Sequence, residues 1–180
     1  MTRPTLPMLF AALAVSAVLA APASAQQEAM GPNAGDKGLS FEVPSGGGSG
    51  VGFTYFLTQS SALRVDVAFN WQLANAQPTG GTDFAFNAAL GYRVFLAHLV
   101  GGRVHPFFQP AVSFGRSGGA NPRGTLAFSG SVGVEFFLLE HFSLAGATGI
   151  ALAMGNLGGA GGASVGITTG TSALYASFYF

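Results

Sequence analysis

The chain has 180 residues, of which 49% are hydrophobic and only 8% are charged, and seven basic residues balance seven acidic ones. Ordinary soluble domains carry about 25% charged residues, so this chain has too few ionic groups to cover a water-facing surface. The same figures exclude a disordered chain and a basic nucleic-acid-binding surface, and the absence of cysteine excludes disulfides and cysteine zinc sites.

The N-terminal residues have the pattern of a secretory signal peptide. Arg3 supplies a positive charge, an apolar stretch runs from Met8 to Ala21, and small residues follow at Ala23-Ser24-Ala25. The apolar stretch is shorter than the roughly 20 residues that a spanning helix needs. We therefore expect cleavage between Ala25 and Gln26, which makes residues 1–25 a signal peptide.

The rest of the chain alternates large apolar side chains with small or polar ones. Such a period of two is typical of a strand with two different faces. We expect 26–37 to be a short periplasmic segment and 38–180 to form one domain of eight strands. The apolar positions that define the strands run over Leu39–Val43, Val51–Leu57, Leu63–Trp71, Phe84–Val94, Val104–Phe114, Leu126–Phe136, Phe142–Met154 and Leu174–Phe180.

The second face of the strands carries mostly glycine, alanine and serine, which are too small to form a core against eight rows of large apolar residues. They suit the narrow interior of an eight-stranded barrel. All five charges in the predicted strands share this inner phase: Glu42, Arg64, Asp66, Arg93 and Glu135. The pattern predicts an all-β fold, a closed antiparallel eight-stranded up-and-down transmembrane β-barrel with a lipid-facing wall and a polar lumen.

The barrel must close, because an unpaired backbone N–H or C=O in hydrocarbon costs several kcal/mol. An even number of strands places both chain ends on one side, and export makes that side the periplasm. The predicted periplasmic turns are Thr58–Ala62, Phe95–Arg103 and Leu138–His141. The predicted extracellular loops are Pro44–Ser49, Gln72–Thr82, Arg116–Gly124 and Gly155–Thr171.

One internal repeat in the sequence supports this assignment of strands, turns and loops. Val51–Ser60 is similar to Val132–His141 at an offset of 81 residues. In the eight-stranded scheme the two copies become the first and third periplasmic hairpins. Chance similarity between two amphipathic hairpins is the alternative.

The signal peptide, the eight alternating strands, the V-G-x-x-[YF]-F-L turns and the C-terminal pattern resemble the small outer-membrane β-barrel family, of the type of the OmpA transmembrane domain and OmpX. The resemblance covers essentially all of the mature chain and implies an outer-membrane location. In that family the outer-membrane assembly machinery recognises the last strand. The resemblance therefore implies an assembly signal at Leu174, Ala176, Phe178 and Phe180.

The sequence departs from the family pattern in three places. Pro110 lies in the middle of a strand, where it cannot donate a ladder hydrogen bond, so we expect a bulge there. The alternation breaks between Ile167 and Leu174, which leaves the start of the eighth strand undetermined. The first strand is short, and the glycine-rich loop 45–50 after it is expected to be flexible.

The five inner charges, Glu42, Arg64, Asp66, Arg93 and Glu135, are expected to pair in the lumen, because buried charges are tolerated mainly when paired. We expect this polar network to be a static plug, with a gated ion pathway as the alternative. Tyr175 and Tyr179 are expected to pack in the lumen near the periplasmic end.

Four aromatic residues near strand ends predict interfacial girdles rather than a ligand cage: Trp71, Tyr92, Phe95 and Phe142. Enzymatic activity has to be considered, because some barrels of the family modify lipid A through a histidine with a serine and an acid. His98, His105 and His141 all map to the periplasmic end, away from lipid A. We therefore expect no catalytic, metal or cofactor site.

The favoured function is a structural or surface-exposed envelope role for an outer-membrane barrel whose lumen is largely filled by side chains. A narrow conduit or binder for small apolar molecules is the alternative, and it would need an opening at the Pro110 bulge. A lipid A-modifying enzyme is the third hypothesis. The expected partners are outer-membrane lipid and, during biogenesis, the assembly machinery, with no nucleic acid and a monomeric state.

Overall fold

The alternating strands close into a barrel in which every strand is antiparallel to its two neighbours in sequence and β1 pairs with β8. The computed structural model describes residues 31–45, 49–72, 83–99, 102–118, 123–158 and 162–180. The strands are β1 Lys37–Pro44, β2 Ser49–Thr58, β3 Ser61–Gln72, β4 Asp83–Phe95, β5 Val104–Ser117, β6 Arg123–Leu139, β7 Phe142–Leu157 and β8 Ser164–Tyr179. The predicted eight-stranded up-and-down topology is confirmed.

The first and last strands seal the barrel over the whole length of β1. Leu39 lies opposite Phe178, and Val43 lies opposite Leu174. Closure gives the backbone groups along β1 and the lower part of β8 partners on both sides. We call the end of the barrel with Gly31, Phe180 and residues 59–60, 96–99, 102–103 and 140–141 the turn end, and the opposite end the loop end.

The two faces of the wall differ as the alternation predicts. Along β2, exposed and buried residues alternate from Ser49 to Phe56. Outward side chains such as Phe41 and Ile150 are more than half exposed, whereas the inward Glu135 is fully buried. The apolar surface of this protein is therefore its outside, and the five charges predicted for the lumen lie inside.

The internal repeat corresponds to one bulged hairpin built twice. Between β2 and β3 the register shifts between Phe56 and Thr58, and between β6 and β7 it shifts between Phe137 and Leu139. These positions are related by the same offset of 81 residues as the sequence repeat. In both copies the residue just before the bulge is a phenylalanine, Phe56 or Phe137, whose side chain points into the lumen by the regular alternation of its strand and is at most 1% exposed.

The eighth strand begins at Ser164, so the predicted loop Gly155–Thr171 is wrong. β7 continues to Leu157, and only residues 158–163 connect the two strands. The first half of β8, which the sequence did not predict, alternates inward and outward residues in the opposite order to the half that was predicted from Leu174 onward.

A bulge at Gly170 causes the change of phase. Gly149 pairs with Thr171 and Ile150 pairs with Thr169, so Gly170 is one extra residue on β8. Gly170 has φ +72°, in the left-handed region that glycine tolerates best. Because one residue is inserted, the outward residues have odd numbers before Gly170, as in Val165 and Ile167, and even numbers after it, as in Leu174 and Phe178.

The bulge predicted at Pro110 is absent. β5 and β6 keep one continuous register through the pair Pro110 and Gly130. On the other side, the pairing of β4 with β5 is interrupted between Gly91–Ala111 and Val94–Phe108 without a change of register. Because Pro110 has no N–H, the pairing of β4 with β5 is interrupted there, but no extra residue is inserted in β5.

The predicted signal peptide with its cleavage site between Ala25 and Gln26 lies outside the described residues. No helix among the described residues is long and apolar enough to cross a membrane.

We predict that Gly170→Ala lowers the free energy of unfolding by about 1–2 kcal/mol, because a side chain is disfavoured in the left-handed region. No atom lies within 4 Å of an added Cβ at Gly170, so the effect would be conformational. Gly166→Ala is the matched control, since Gly166 lies in the same strand with equally free space and no left-handed φ. Urea unfolding of the refolded barrel measures both, and equal stability of the two variants would contradict the bulge.

Candidate functional site

The lumen contains three levels that follow one another along the barrel axis. An aromatic cluster fills the turn end, a layer of paired charges lies above it, and a cavity occupies the loop end. Each level is built from the inward residues of several strands. The lumen is the candidate functional site of this chain, because it holds the buried charged groups.

The aromatic cluster closes the turn end. Phe56 stacks on Phe95 with 6.0 Å between ring centroids, and Phe95 meets Phe107 edge-on at 6.2 Å. Phe137 and Tyr179 complete the cluster at 5.6 Å from each other. All five rings are at most 5% exposed. Side chains of this size leave no room for a passage in an eight-stranded barrel.

Sequence analysis missed most of this cluster. Strict alternation accounts for only one member of each adjacent aromatic pair: Tyr55-Phe56, Phe107-Phe108 and Phe136-Phe137. Two consecutive side chains of a strand point to opposite faces, so one member of each pair must point inward. The adjacent aromatic pairs were therefore the sequence signal that could have predicted the aromatic cluster.

Phe95 was predicted to belong to an interfacial girdle, and this is wrong. It occupies the inner phase of β4 and is 5% exposed. Tyr92 lies on the outer face, 40% exposed. Phe142 also packs on the outer face, 4.8 Å from Phe178 between ring centroids. The side chain of Trp71 lies outside the described part of the chain.

The segment before β1 covers the aromatic cluster from outside. The N–H of Gly35 donates to the carbonyl oxygen of Phe56 at 2.8 Å, and the N–H of Phe56 donates to the backbone carbonyl oxygen of Asp36 at 2.9 Å. Gln59 reaches across the turn to donate to the Asn33 side chain at 3.1 Å. The start of the described chain therefore closes the turn end further.

Two of the three histidines meet at this end. His105 is buried against Phe137, with 4.7 Å between ring centroids, and its Nε2 lies 2.7 Å from the carbonyl oxygen of Gly102. His98 Nδ1 is 3.3 Å from the same Nε2. His141 is exposed in the turn between β6 and β7. His105 therefore serves packing and hydrogen bonding within the plug.

Above the aromatics, Arg93 and Glu135 form a fully buried ion pair. Arg93 Nη1 donates to Glu135 Oε2 at 2.8 Å, and Arg93 Nε donates to the amide oxygen of Gln109 at 2.9 Å. The other carboxylate oxygen of Glu135 accepts hydrogen bonds from Ser143 and from the Tyr179 hydroxyl. Both charges are thus held by several strands at once, β4, β5, β6, β7 and β8.

A second ion pair lies nearer the cavity. Arg64 is 1% exposed and donates through Nε to both carboxylate oxygens of Asp66 at 2.7 and 2.9 Å. Glu42 is more distant, with 3.9 Å between its Oε2 and Arg64 Nη2. The side chains of Asp66 and Glu42 are 16% and 20% exposed, so the carboxylates, and not the guanidinium, border the cavity.

Tyr175 joins the two ion pairs. Its ring lies 4.4 Å from the Arg64 guanidinium carbon and 5.5 Å from that of Arg93. A second ring, that of Phe107, lies 4.0 Å from Arg93. The structure therefore places the five predicted lumen charges in two groups, Arg64 with Asp66 and Glu42, and Arg93 with Glu135. Cation–π contacts to Tyr175 connect these groups.

The loop end contains a cavity of about 600 Å³. Its floor is formed by Glu42, Asp66, Gln109 and Tyr175, and its walls are mostly alanine, serine and glycine. Arg116 and Arg123 also line it. The expectation of a lumen largely filled by side chains therefore describes the turn end but not the loop end.

The adjacent residues Glu140, His141 and Ser143 do not form a catalytic arrangement. Ser143 is fully buried and its hydroxyl donates to Glu135, while Glu140 and His141 are exposed in the turn. Within the described residues, no group of three or more histidine, aspartate or glutamate side chains is placed to hold a metal ion.

No family model matches the chain, and no curated protein sequence matches it. Among solved structures, the chain is similar to Neisserial surface protein A (NspA) at 12% identity and a TM-score of 0.47, over 80% of this chain and 92% of that one. It is similar to the N-terminal β-barrel domain of Pseudomonas aeruginosa OprF at 13% identity and a TM-score of 0.43, over 81% and 96%. The strand pairing of the chain itself, rather than these likenesses, establishes the barrel.

We predict that Glu135→Gln lowers the free energy of unfolding by about 3–5 kcal/mol, because it leaves the buried Arg93 without its counter-charge. Glu140→Gln is the control, since the exposed Glu140 lies in a turn and its substitution should change stability by no more than about 0.5 kcal/mol. Urea unfolding monitored by tryptophan fluorescence compares the two. Equal stability would show that the pair does not hold the layer together.

We predict that a thiol at the cavity wall reacts with a charged maleimide and that a buried thiol opposite Glu135 does not. The chain has no cysteine, so Ser113→Cys and Ala145→Cys each introduce a single thiol. Ser113 lines the cavity, whereas Ala145 is 6% exposed within the aromatic cluster. Mass spectrometry of the folded variants over time measures labelling, and similar rates would contradict the division of the lumen.

Proposed function

We propose that this chain is an outer-membrane β-barrel protein with a structural or surface-exposed envelope role and no continuous pore. The observation that carries the proposal is a closed barrel whose outer wall is apolar while its strand charges are paired inside. Such a wall is stable in hydrocarbon, where every backbone polar group needs a partner within the protein.

The outer wall is unsuited to water. Large exposed apolar side chains occur on every strand, for example Phe53 on β2, Leu90 on β4 and Phe128 on β6. Soluble monomers rarely expose a contiguous apolar patch of more than a few hundred Å². The other described charges lie near the two ends of the barrel, such as Lys37 at the turn end and Arg123, which lines the cavity, at the loop end. This distribution supports a membrane-spanning band between the two charged ends.

The strand lengths fit an outer-membrane band. A strand rises about 3.3 Å per residue and tilts by roughly 40°, so ten residues cover about 25 Å along the membrane normal, the usual height of the apolar band. β2 has 10 residues and β6 has 17, so most strands span the band with residues to spare. The shared position of both termini and the predicted signal peptide support a periplasmic turn end.

Biogenesis would depend on the last strand. Leu174, Phe178 and Phe180 project from the outer face of β8 and are at least 50% exposed. In the folded barrel the backbone there is already paired with β1, so recognition by the assembly machinery would precede closure. We propose outer-membrane lipid as the other partner, a monomeric state and no nucleic-acid partner.

The alternatives are less well supported by the lumen. A conduit would have to pass the aromatic cluster and two ion pairs, and a wall opening at a Pro110 bulge has no structural basis. The cavity is lined mostly by alanine, serine and glycine, but Glu42, Asp66, Arg116 and Arg123 also line it, so a small apolar molecule there would lie beside charged groups. For lipid A modification, the buried Ser143 and the exposed His141 are wrongly placed, and we propose that the chain is not an enzyme.

We predict that the mature chain fractionates with the outer membrane and migrates as a heat-modifiable band, because a closed barrel resists detergent until it is boiled. Cell fractionation and electrophoresis with and without boiling measure both properties. Planar bilayer recordings on the same sample should show no stepwise conductance. Recovery only in the soluble fraction would contradict the membrane assignment, and stable conductance steps would contradict the closed lumen alone.

A further inference from the structure

The barrel wall is lower at β1 and β2 than at the opposite strands. β1 ends at Pro44, which pairs with Ala173, and the last contacts beyond it join Ser45 and Ser172. β8 continues for eight more residues, Ser164–Thr171, which pair with β7 on one side. Within the described residues these eight have no strand partner on the other side. We call this segment the β8 edge.

The β8 edge would rise out of the membrane at the loop end. About ten residues of a tilted strand cross the apolar band, so the band would extend from Tyr179 at the C-terminal end of β8 to about Gly170. The residues of β8 that precede Gly170 would then lie beyond the hydrocarbon. There the unpaired backbone is tolerated, because water can hydrogen-bond to it. Every residue of the edge is exposed, on both faces of the strand.

The edge lacks the features that normally prevent strand addition. Natural edge strands carry lysine, proline or an inward charge, or they are covered. Ser164–Thr171 contains no charged residue and no proline. Val165 and Ile167 are 70% and 75% exposed, the largest values among the exposed large hydrophobic residues described. They lie next to Met154 and Leu152 on β7, so the edge adjoins an apolar strip.

We infer that the β8 edge is a docking site for an extended segment of another, water-soluble protein, which adds a strand antiparallel to β8. The incoming strand would continue the line of β1, because the antiparallel β1–β8 ladder and the Ser45–Ser172 contacts already lead into this position. Main-chain hydrogen bonds would supply affinity. Apolar side chains at alternate positions of the partner would pack beside Val165 and Ile167.

A second copy of the chain fits the edge less well. Copies in one membrane are related by an axis along the membrane normal, and each β8 tilts by roughly 40° from it. Two β8 edges would then cross at about 80°, which permits no ladder. The inference rests on the proposed function, because this orientation and the emergence of the edge into water follow from a membrane-spanning barrel.

The test uses the full mature chain refolded in phosphatidylcholine nanodiscs, on samples that show the heat-modifiable band. The probe is a fluorescent synthetic peptide that alternates threonine and valine, and its control carries N-methyl groups at alternate amides. We expect saturable binding of the probe and none of the control. Within Ser164–Thr171, the amides that point away from β7 should exchange fast without the probe and slowly with it, since only the probe pairs them, while the amides bonded to β7 are protected in both states.

Matched barrel variants locate the binding. Ile167→Lys should weaken it roughly tenfold or more, because a lysine guards an edge against strand addition. Leu157→Lys, at an exposed apolar position of β7 paired to β6, should leave it unchanged. Two results would overturn the inference: protection, in the free barrel, of the amides that point away from β7, or binding that both lysine variants affect equally.

A separate experiment tests whether the segment that binds the β8 edge belongs to a second copy of the chain. Ile167→Cys should remain monomeric under mild oxidation, and rapid disulfide formation between barrels would assign the edge to a second copy and overturn the partner inference. A folded barrel that ignores the probe refutes the docking site while leaving the proposed function intact. A chain that yields no heat-modifiable band refutes the proposed function instead.

Discussion

Backbone hydrogen bonding between β1 and β8 is the constraint on which the rest of the structure depends. The pairs from Gly38 to Pro44 close the sheet on itself, and closure leaves the lower wall without an edge. Once the wall is closed, its outer face can be uniformly apolar, and its inner face must fit within eight strands. The inside-out distribution of residues therefore follows from the topology, and the scarcity of charge in the composition follows from the large lipid-facing area.

The narrow lumen then determines how the charges are arranged. Arg93 and Glu135 lie beneath the cavity with no exposure, so their stability depends on mutual pairing and on the hydroxyls of Ser143 and Tyr179. Arg64 and Asp66 lie closer to the cavity, and their carboxylate side is partly exposed. The polar layer thus separates the aromatic cluster, which closes the turn end, from a cavity at the loop end.

Insertions in the ladder lie near both ends of the barrel. The two hairpin bulges follow directly after Phe56 and Phe137, whose inward side chains belong to the aromatic cluster at the turn end. The bulge at Gly170 lets β8 continue with its outer face still apolar, well beyond the end of β1. Because β1 is short, this continuation becomes an edge. Aromatic side chains close the lumen at the turn end, and the bulge near the loop end accompanies the extension of the wall.

The sequence by itself determined the strand number, the antiparallel order, the inner phase of the five charges and the outward phase of the C-terminal aromatic residues. A two-residue period is a local property, and it survives wherever the register is regular. Tertiary structure alone decided the absence of a bulge at Pro110, the true start of β8 and the division of the charges into two pairs. Each depends on which residue of a neighbouring strand lies opposite, and alternation within one strand carries no information about that partner or about an inserted residue such as Gly170.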